Sequence, residues 1–365
     1  MESRQEALQV GAVAFSSESR GAAGDFDGRS LPVVLAILAT LAATNSHART
    51  WIITPAGDGD APTIQAGIDS AAVGDVVELE AGLYSWTAQG GQQPSSGRTL
   101  VILKDGITLR GRDGASTTIL DAEQQGRVLL SPLGATSLIE GLTITGGRTE
   151  ACMNLRCQLG GGILLFGNNS TVRDCIVVSN HAQAGGGGIA VDHSSGTVQG
   201  NLILRNSTEA GGNGGGGIGL IGSPSQPLLT ENTIVSNIGD GIAAGDAGGV
   251  FRRNILAWNH NFPGRPFGGK GVSCAFGLPT LDCNDLWSNE GSDAICGVDA
   301  GGNFVADPQF CGADPIDGAN YFLQSDSPCL PAGNACSVRL GARGDGCSTV
   351  VAARSSWGNF KELYK

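Results

Sequence analysis

The stretch "AVDHSSG" sets Asp192 beside His193 at the end of an apolar run. A carboxylate next to an imidazole is a candidate for catalysis, because histidine exchanges a proton near neutral pH. His181, in "SNHAQ" one repeat earlier, could share a face with His193. A second set recurs at one place of a repeating unit: Glu140, Asp174, Glu231 and Arg253. Stacked carboxylates with interleaved arginines can bind a cation such as calcium, or the hydroxyls of a sugar chain. As plain solvated surface, the same residues would be ion pairs of small worth. A third stretch, "AGGNGGGGIGLIGS", satisfies the G-x-G-x-x-G pattern through Gly212, Gly214 and Gly217. That pattern binds dinucleotides only where it opens a helix. Here Gly219, Gly222, Pro224 and Pro227 follow, and the cluster recurs at "LGGGILLFG", "AGGGGIAVD" and "GDGIAAGD". A recurring glycine cluster is architecture. Neither a G-x-S-x-G elbow nor an H-E-x-x-H pair occurs in the chain.

The elements that must position these residues are set by a six-residue unit. It reads "CIVVSN" from Cys175, "NLILRN" from Asn201, "NTIVSN" from Asn232, "NILAWN" from Asn254 and "NDLWSN" from Asn284, with "GLTITG" from Gly141 as a degenerate copy. Spacings that vary between copies indicate one coil per unit, with insertions placed in loops. Each unit carries β-branched or leucine residues alternating with smaller ones, which predicts a strand of about three to five residues. So short a strand needs the next coil stacked about 4.8 Å away. Asparagine tolerates left-handed backbone and its amide can bond to those above and below. Asn201, Asn232, Asn254 and Asn284, and Asn180, Asn206, Asn237, Asn259 and Asn289, are therefore expected to form structural ladders at the corners. Glycines turn the other corners. Ile163, Ile189, Ile218 and Ile242 after them should point inward.

These rungs resemble the right-handed parallel β-helix repeats of the pectin-lyase-like superfamily. "PTIQAGIDSAAVGDVVELEAGLYS", Pro62 to Ser85, resembles the start of many bacterial extracytoplasmic β-helix proteins. In that reading Ile64 and Ile68 sit on a short helix plugging one end, Gly74 stops it, and "VVEL" begins the first rung. "NFVADPQFCG" and "YFLQSDSPCLPAG" resemble the closing segment of such proteins, and "SWGNFKELYK" a tail found on some. The expected fold is an all-β right-handed parallel β-helix with a short N-terminal capping helix. The superfamily includes lyases, hydrolases, epimerases and adhesins. Pectate lyases carry an Asp-His pair similar to Asp192 and His193, in which the aspartate holds calcium and a separate arginine takes the proton. Their R-x-P-x-x-R motif is absent here, as are the Asn-Thr-Asp, Asp-Asp and Gly-His-Gly sets of polygalacturonase-like hydrolases.

Composition bounds the rest. Of 365 residues 59 are glycine and 5% aromatic, which suits many short strands joined by turns rather than helical bundles. "LPVVLAILATLAA", Leu31 to Ala43, followed by "SHA", reads as an export signal cut after Ala48. It is shorter than the roughly 20 residues of a spanning helix, so no membrane span is expected in the mature chain. Domains are expected at 1–48 (extension and signal), 49–290 (β-helix), 291–348 (cysteine-containing closing segment) and 349–365 (a tail with an amphipathic helix). The net charge of −12 argues against nucleic acid as a partner. All ten cysteines follow the signal, as an oxidising compartment favours. Cys152 and Cys157 bracket a short insertion and are the disulfide candidates, while Cys175 could stay unpaired.

Without a complete catalytic set, the primary expectation is a secreted or cell-surface solenoid that binds a polysaccharide or surface glycan without catalysis. The alternative is a polysaccharide lyase, hydrolase or epimerase acting on an acidic polymer. Calcium is the one cofactor the carboxylates suggest.

Overall fold

The computed structural model describes residues 48–209, 214–223, 225–312 and 321–347. The expected export signal up to residue 47 and the expected tail helix lie outside the described residues. Three parallel sheets run along one solenoid. Sheet A has ten strands, from Thr50–Ile53 to Val298–Gly301; sheet B has eight, from Gly82–Ser85 to Asp285–Trp287. Sheet C has seven, from Thr99–Ile102 to Val272–Cys274. One coil visits C, A and B in turn, as in Ile163–Phe166, Thr171–Arg173 and Ile176–Val178.

Alternation along each strand fixes what faces in. Ile163, Ile189, Ile218 and Ile242 pair in register and are fully buried, as expected from their places after the glycines. The corners explain the asparagines. Asp174, Gly200, Glu231, Arg253 and Cys283 turn from sheet A to B with φ of 53–66°. Ser179, Arg205, Ser236, Trp258 and Ser288 turn out of sheet B with φ of 53–55°. The left-handed residue is thus the one before each asparagine, not the asparagine itself as the sequence reading expected, because the asparagine's amide must lie inside the turn to bond the coil above and the coil below. Asn237 Nδ2 donates to Ile203 O and to Asn259 Oδ1, while its own Oδ1 accepts from Asn206 N and Nδ2. Asn201, Asn232, Asn254 and Asn284 repeat this in the other row, which Asn303 extends. A buried amide with all its groups satisfied specifies position as well as stability.

The structure corrects the sequence reading at three further places. Thr143 and Ile144 pair with Ile176 and Val177, so Leu142 matches Cys175 and Gly147 closes the degenerate unit. The frame starting at Gly141 was one residue early, because the adjacent Gly146 and Gly147 leave it undefined. A one-residue slip exchanges the two faces of a strand. Glu140 therefore lies beside Arg173, on the outer face of sheet A, rather than at the turn with Asp174. Second, Thr50–Ile53 pairs with Val76–Leu79, so "VVEL" is the second rung of sheet A. Four residues were too few to show alternation. Third, the helix Ile64–Ser70 ends at the extended Ala71, before Gly74. Thr63 caps its start, and Ile64 and Ile68 are fully buried in the core, the plug expected of them.

The closing segment turns back over sheet B. Phe310, Tyr321, Leu323, Cys329 and Leu340 bury the outward Ile176, Val178, Leu202, Leu204, Val235 and Ile255. Disulfides Cys274–Cys296, Cys283–Cys336 and Cys311–Cys347 fasten it. Cys175 and Cys329 are free and buried.

Candidate functional site

Sheet C carries a place where a buried carboxyl group meets a histidine and an arginine. In Ile189–Asp192, Ile189 and Val191 face the core, so Asp192 faces out, paired in register with Phe166 on one side and Ile221 on the other. Only 4% of its side chain is exposed. His193 takes the corner with φ of 51°, where the flanking coils have Gly167 and Gly222 with φ of 55° and 82°. A non-glycine residue there bears local strain. A Cβ on Gly222 would lie 2.2 Å from His193 Nδ1, so that glycine makes room for the imidazole. The corner beneath is stiffened by buried polar bonds: Ser194 Oγ donates to Asn168 O at 2.7 Å, and Asn168 Nδ2 to Ser131 O at 2.8 Å.

His193 Nδ1 lies 2.6 Å from Asp192 Oδ1. A carboxylate only accepts, so Nδ1 carries a proton, and in the neutral ring the lone pair falls on Nε2. The ring is about half exposed, at 49% of the side chain. The other oxygen, Asp192 Oδ2, accepts from Arg156 Nε at 3.0 Å. The Arg156 guanidinium also lies over the Phe166 ring, 3.9 Å from its centroid, which fixes its plane. Asp192 is thus a buried carboxyl group shared by two partly exposed side chains, a guanidinium and an imidazole.

Arg156 comes from an insertion ahead of sheet C, and two devices hold it. The Cys152–Cys157 disulfide closes the loop, as the spacing suggested. Arg127, fully buried, donates to the carbonyls of Arg156 at 2.7 Å, Leu159 at 2.6 Å and Gly160 at 2.9 Å. It reaches Ser96 O and Thr99 Oγ1 as well. Among the described residues none of its partners is a carboxylate, and burial pushes its guanidinium down to about 9. Neither arginine was singled out from sequence. The one available signal was that Arg156 lies between the paired cysteines.

The carboxylates of sheet A are arranged differently. Glu78, Arg110, Glu140 and Arg173 alternate in register on its outer face. Arg110 Nη2 is 2.6 Å from Glu78, and Arg173 Nη2 is 2.8 Å from Glu140. Glu231 holds Arg253 at 3.3 Å. Asp174 sits at the turn, where burial and the neighbouring Glu140 raise its carboxyl and the arginines 173, 339 and 343 oppose the rise. Each acid of the column thus has a basic neighbour. His181 belongs to a different corner, beside Ser207 Oγ at 2.9 Å and Glu209 at 3.4 Å, and does not join His193. Among the described residues, no group of three or more His, Cys, Asp or Glu side chains is gathered to hold a metal ion. No helix among them is long and apolar enough to cross a membrane.

Stacked coils with asparagine corners, bearing a charged cluster on the outside of one sheet, define a parallel β-helix. Residues 105–261 and 161–305 match the family model described as right handed beta helix region, over more than half of the chain, and the chain belongs to that family. Among solved structures, pectate lyase Pel9A is similar in fold. It is 16% identical, with 71% of this chain and 68% of that one covered and a TM-score of 0.50. A mannuronic acid specific polysaccharide family 6 lyase from human gut microbiota aligns at 12% identity, over 65% of this chain and 59% of that one, with a TM-score of 0.31. No curated protein sequence matches the chain.

Proposed function

We propose that this protein is an extracytoplasmic polysaccharide lyase acting on an acidic sugar polymer, with His193 as the base. The observation that carries the proposal is the half-exposed imidazole whose Nδ1–H is held by a buried carboxylate that Arg156 also binds. In an elimination, His193 Nε2 takes the proton from the carbon next to the substrate carboxylate. The electron pair left behind forms a carbon–carbon double bond, the neighbouring carbon–oxygen bond breaks, and water protonates the departing sugar oxygen. Asp192 fixes the ring and stabilises the imidazolium that forms. Arg156, with 40% of its side chain exposed, faces the negative charge that develops on the substrate carboxylate.

This reading takes the alternative of the sequence analysis over the non-catalytic solenoid. Two things support it: Arg156 supplies a cation beside Asp192 in the absence of the R-x-P-x-x-R motif, and a pectate lyase shares the fold. It departs from the calcium-holding aspartate of the resemblance, since both Asp192 oxygens already have partners. The disulfides fit an export route.

The test is incubation of the protein from Arg49 onward with polygalacturonate, alginate and neutral polymers, following unsaturated ends by ultraviolet absorbance and new reducing ends chemically. Unsaturated ends that disappear with His193→Ala are expected. Reducing ends without unsaturation would make it a hydrolase. Acidic polymers left intact throughout would return the reading to a binding solenoid.

A further inference from the structure

A cleft of about 460 Å³ opens between the solenoid and its closing segment, away from Asp192. That volume lies within the range of small-molecule sites, roughly 300–1,000 Å³. Ser236, Trp258 and His260 come from the corner leaving sheet B; Asp307, Gln309, Phe310 and Gln324 come from the closing segment. From these walls we propose a second binding site, for an uncharged saccharide.

The aromatic wall is the first argument. At the corner occupied by Ser179, Arg205, Ser236 and Ser288 in other coils, this coil has Trp258, with φ of 54°. A bulky aromatic in left-handed backbone is an uncommon choice. The indole packs against Phe310 with centroids 5.5 Å apart, and Phe310 against Tyr321 at 5.1 Å. Such a wall suits the C–H faces of a sugar ring, which carry little polarity.

Hydrogen bonding is the second. Gln309 Oε1 is buried and, among the described residues, accepts no hydrogen bond. A buried acceptor left unmade costs free energy that a ligand donor would restore. Asp307 adds a further acceptor, so the walls ask for hydroxyl donors.

Charge is the third. Among the described residues no lysine or arginine lines the cleft, whereas Asp307 does and His260 Nδ1 is paired with Glu290 at 2.9 Å. A uronate would meet Asp307 with no lysine or arginine among the described lining residues to offset it. The cleft therefore selects a neutral sugar, while Arg156 lies at the other site. This inference does not depend on the elimination chemistry.

The experiment is isothermal titration calorimetry of the protein from Arg49 onward with cello-, manno-, xylo- and galactotetraose, and with trigalacturonate as the charged probe. At least one neutral tetrasaccharide is expected to bind, and Trp258→Ala to weaken it by about tenfold or more. Gln309→Leu, a partly exposed position, should also weaken binding and covers the case in which Trp258→Ala fails to fold. The proposal is overturned if no neutral tetrasaccharide binds, if binding survives both substitutions unchanged, or if trigalacturonate binds more tightly in a Trp258-dependent way.

Discussion

Arg156 Nε lies 3.0 Å from Asp192 Oδ2, although 36 residues separate the two in the chain. The contact joins an insertion on one coil to the sheet face of the next, and it leaves the second Asp192 oxygen for His193. One buried carboxylate thus sets both the tautomer of a histidine and the place of a guanidinium.

Asp192→Asn should abolish that arrangement without altering shape. An amide offers a donor as readily as an acceptor, so the ring loses the partner that fixed Nδ1–H. Turnover on an acidic polymer is expected to fall by about 10²–10⁴-fold, the span of general acid–base catalysis. KM should change little. Arg156→Gln should instead raise KM as well as lower kcat, since the cation faces the substrate carboxylate before and during the reaction. Steady-state kinetics on one polymer separates the two, and unchanged kcat in Asp192→Asn removes the site.

Gly222→Ala gives a sharper test of geometry. The added methyl would enter the space of the His193 ring and strain a backbone with φ of 82°. Activity should fall even if the purified variant still melts cooperatively. A fully active Gly222→Ala enzyme would show that the ring position does not matter.

Arg127→Met replaces a buried cation by an apolar chain of similar length. It leaves the carbonyls of Leu159 and Gly160 without their donor and the Arg156 carbonyl with only Leu159 N at 3.4 Å. Unsatisfied buried groups cost about 1–3 kcal/mol each, so a loss of about 3 kcal/mol or more is expected in urea unfolding. Arg127→Lys should recover only part, because an ammonium cannot span all the carbonyls at once. An unchanged midpoint would mean that the loop is held by its disulfide alone.

Asn237→Ala should cost more than Asn289→Ala. Asn237 binds coils on both sides and is fully buried, whereas beyond Asn289 the row passes to Asp293 rather than another asparagine. Removing the inner amide orphans groups on two neighbours, for about 2–4 kcal/mol. Equal losses in chemical denaturation would argue that the ladder is a consequence of stacking, not a cause.

Asp285 makes stability depend on pH. Burial, where Cys329 Sγ and Ala306 N are its partners at 3.2 and 3.1 Å, pushes its carboxyl up to about 7. An ordinary aspartate titrates near 4. Between those values the folded chain holds a proton the unfolded chain has released, so stability falls as pH rises through the window. Asp285→Asn cannot ionise. The Tm of the wild type minus that of the variant should therefore decline from about pH 4 to pH 7, and a flat difference would show that Asp285 does not titrate there.

The coil itself was legible in the sequence because its demands are local. A corner needs a side chain that bonds both neighbouring coils, and Asn206, Asn232 and Asn254 announce this wherever they recur, while the left-handed backbone falls on the residue before each of them, Arg205, Glu231 and Arg253. The frame failed only at Gly141–Gly147, where glycine replaces asparagine and carries no marker. Asp192 and His193 were visible as neighbours in the chain. Arg156 was not, since its partner is on another coil and insertions of variable length erase the spacing. Nor could the sequence tell a convergent acidic column from Glu140 and Glu231 each held by its own arginine.

By itself, then, the sequence determined the stacking of coils and the asparagines that tie them together, because those rest on hydrogen bonds that repeat at every rung. The tertiary structure decided the charge pairings, the room Gly222 leaves for His193 and the cleft beside Trp258. Each depends on how far one coil's loop folds onto another, and loop length sets that only through packing.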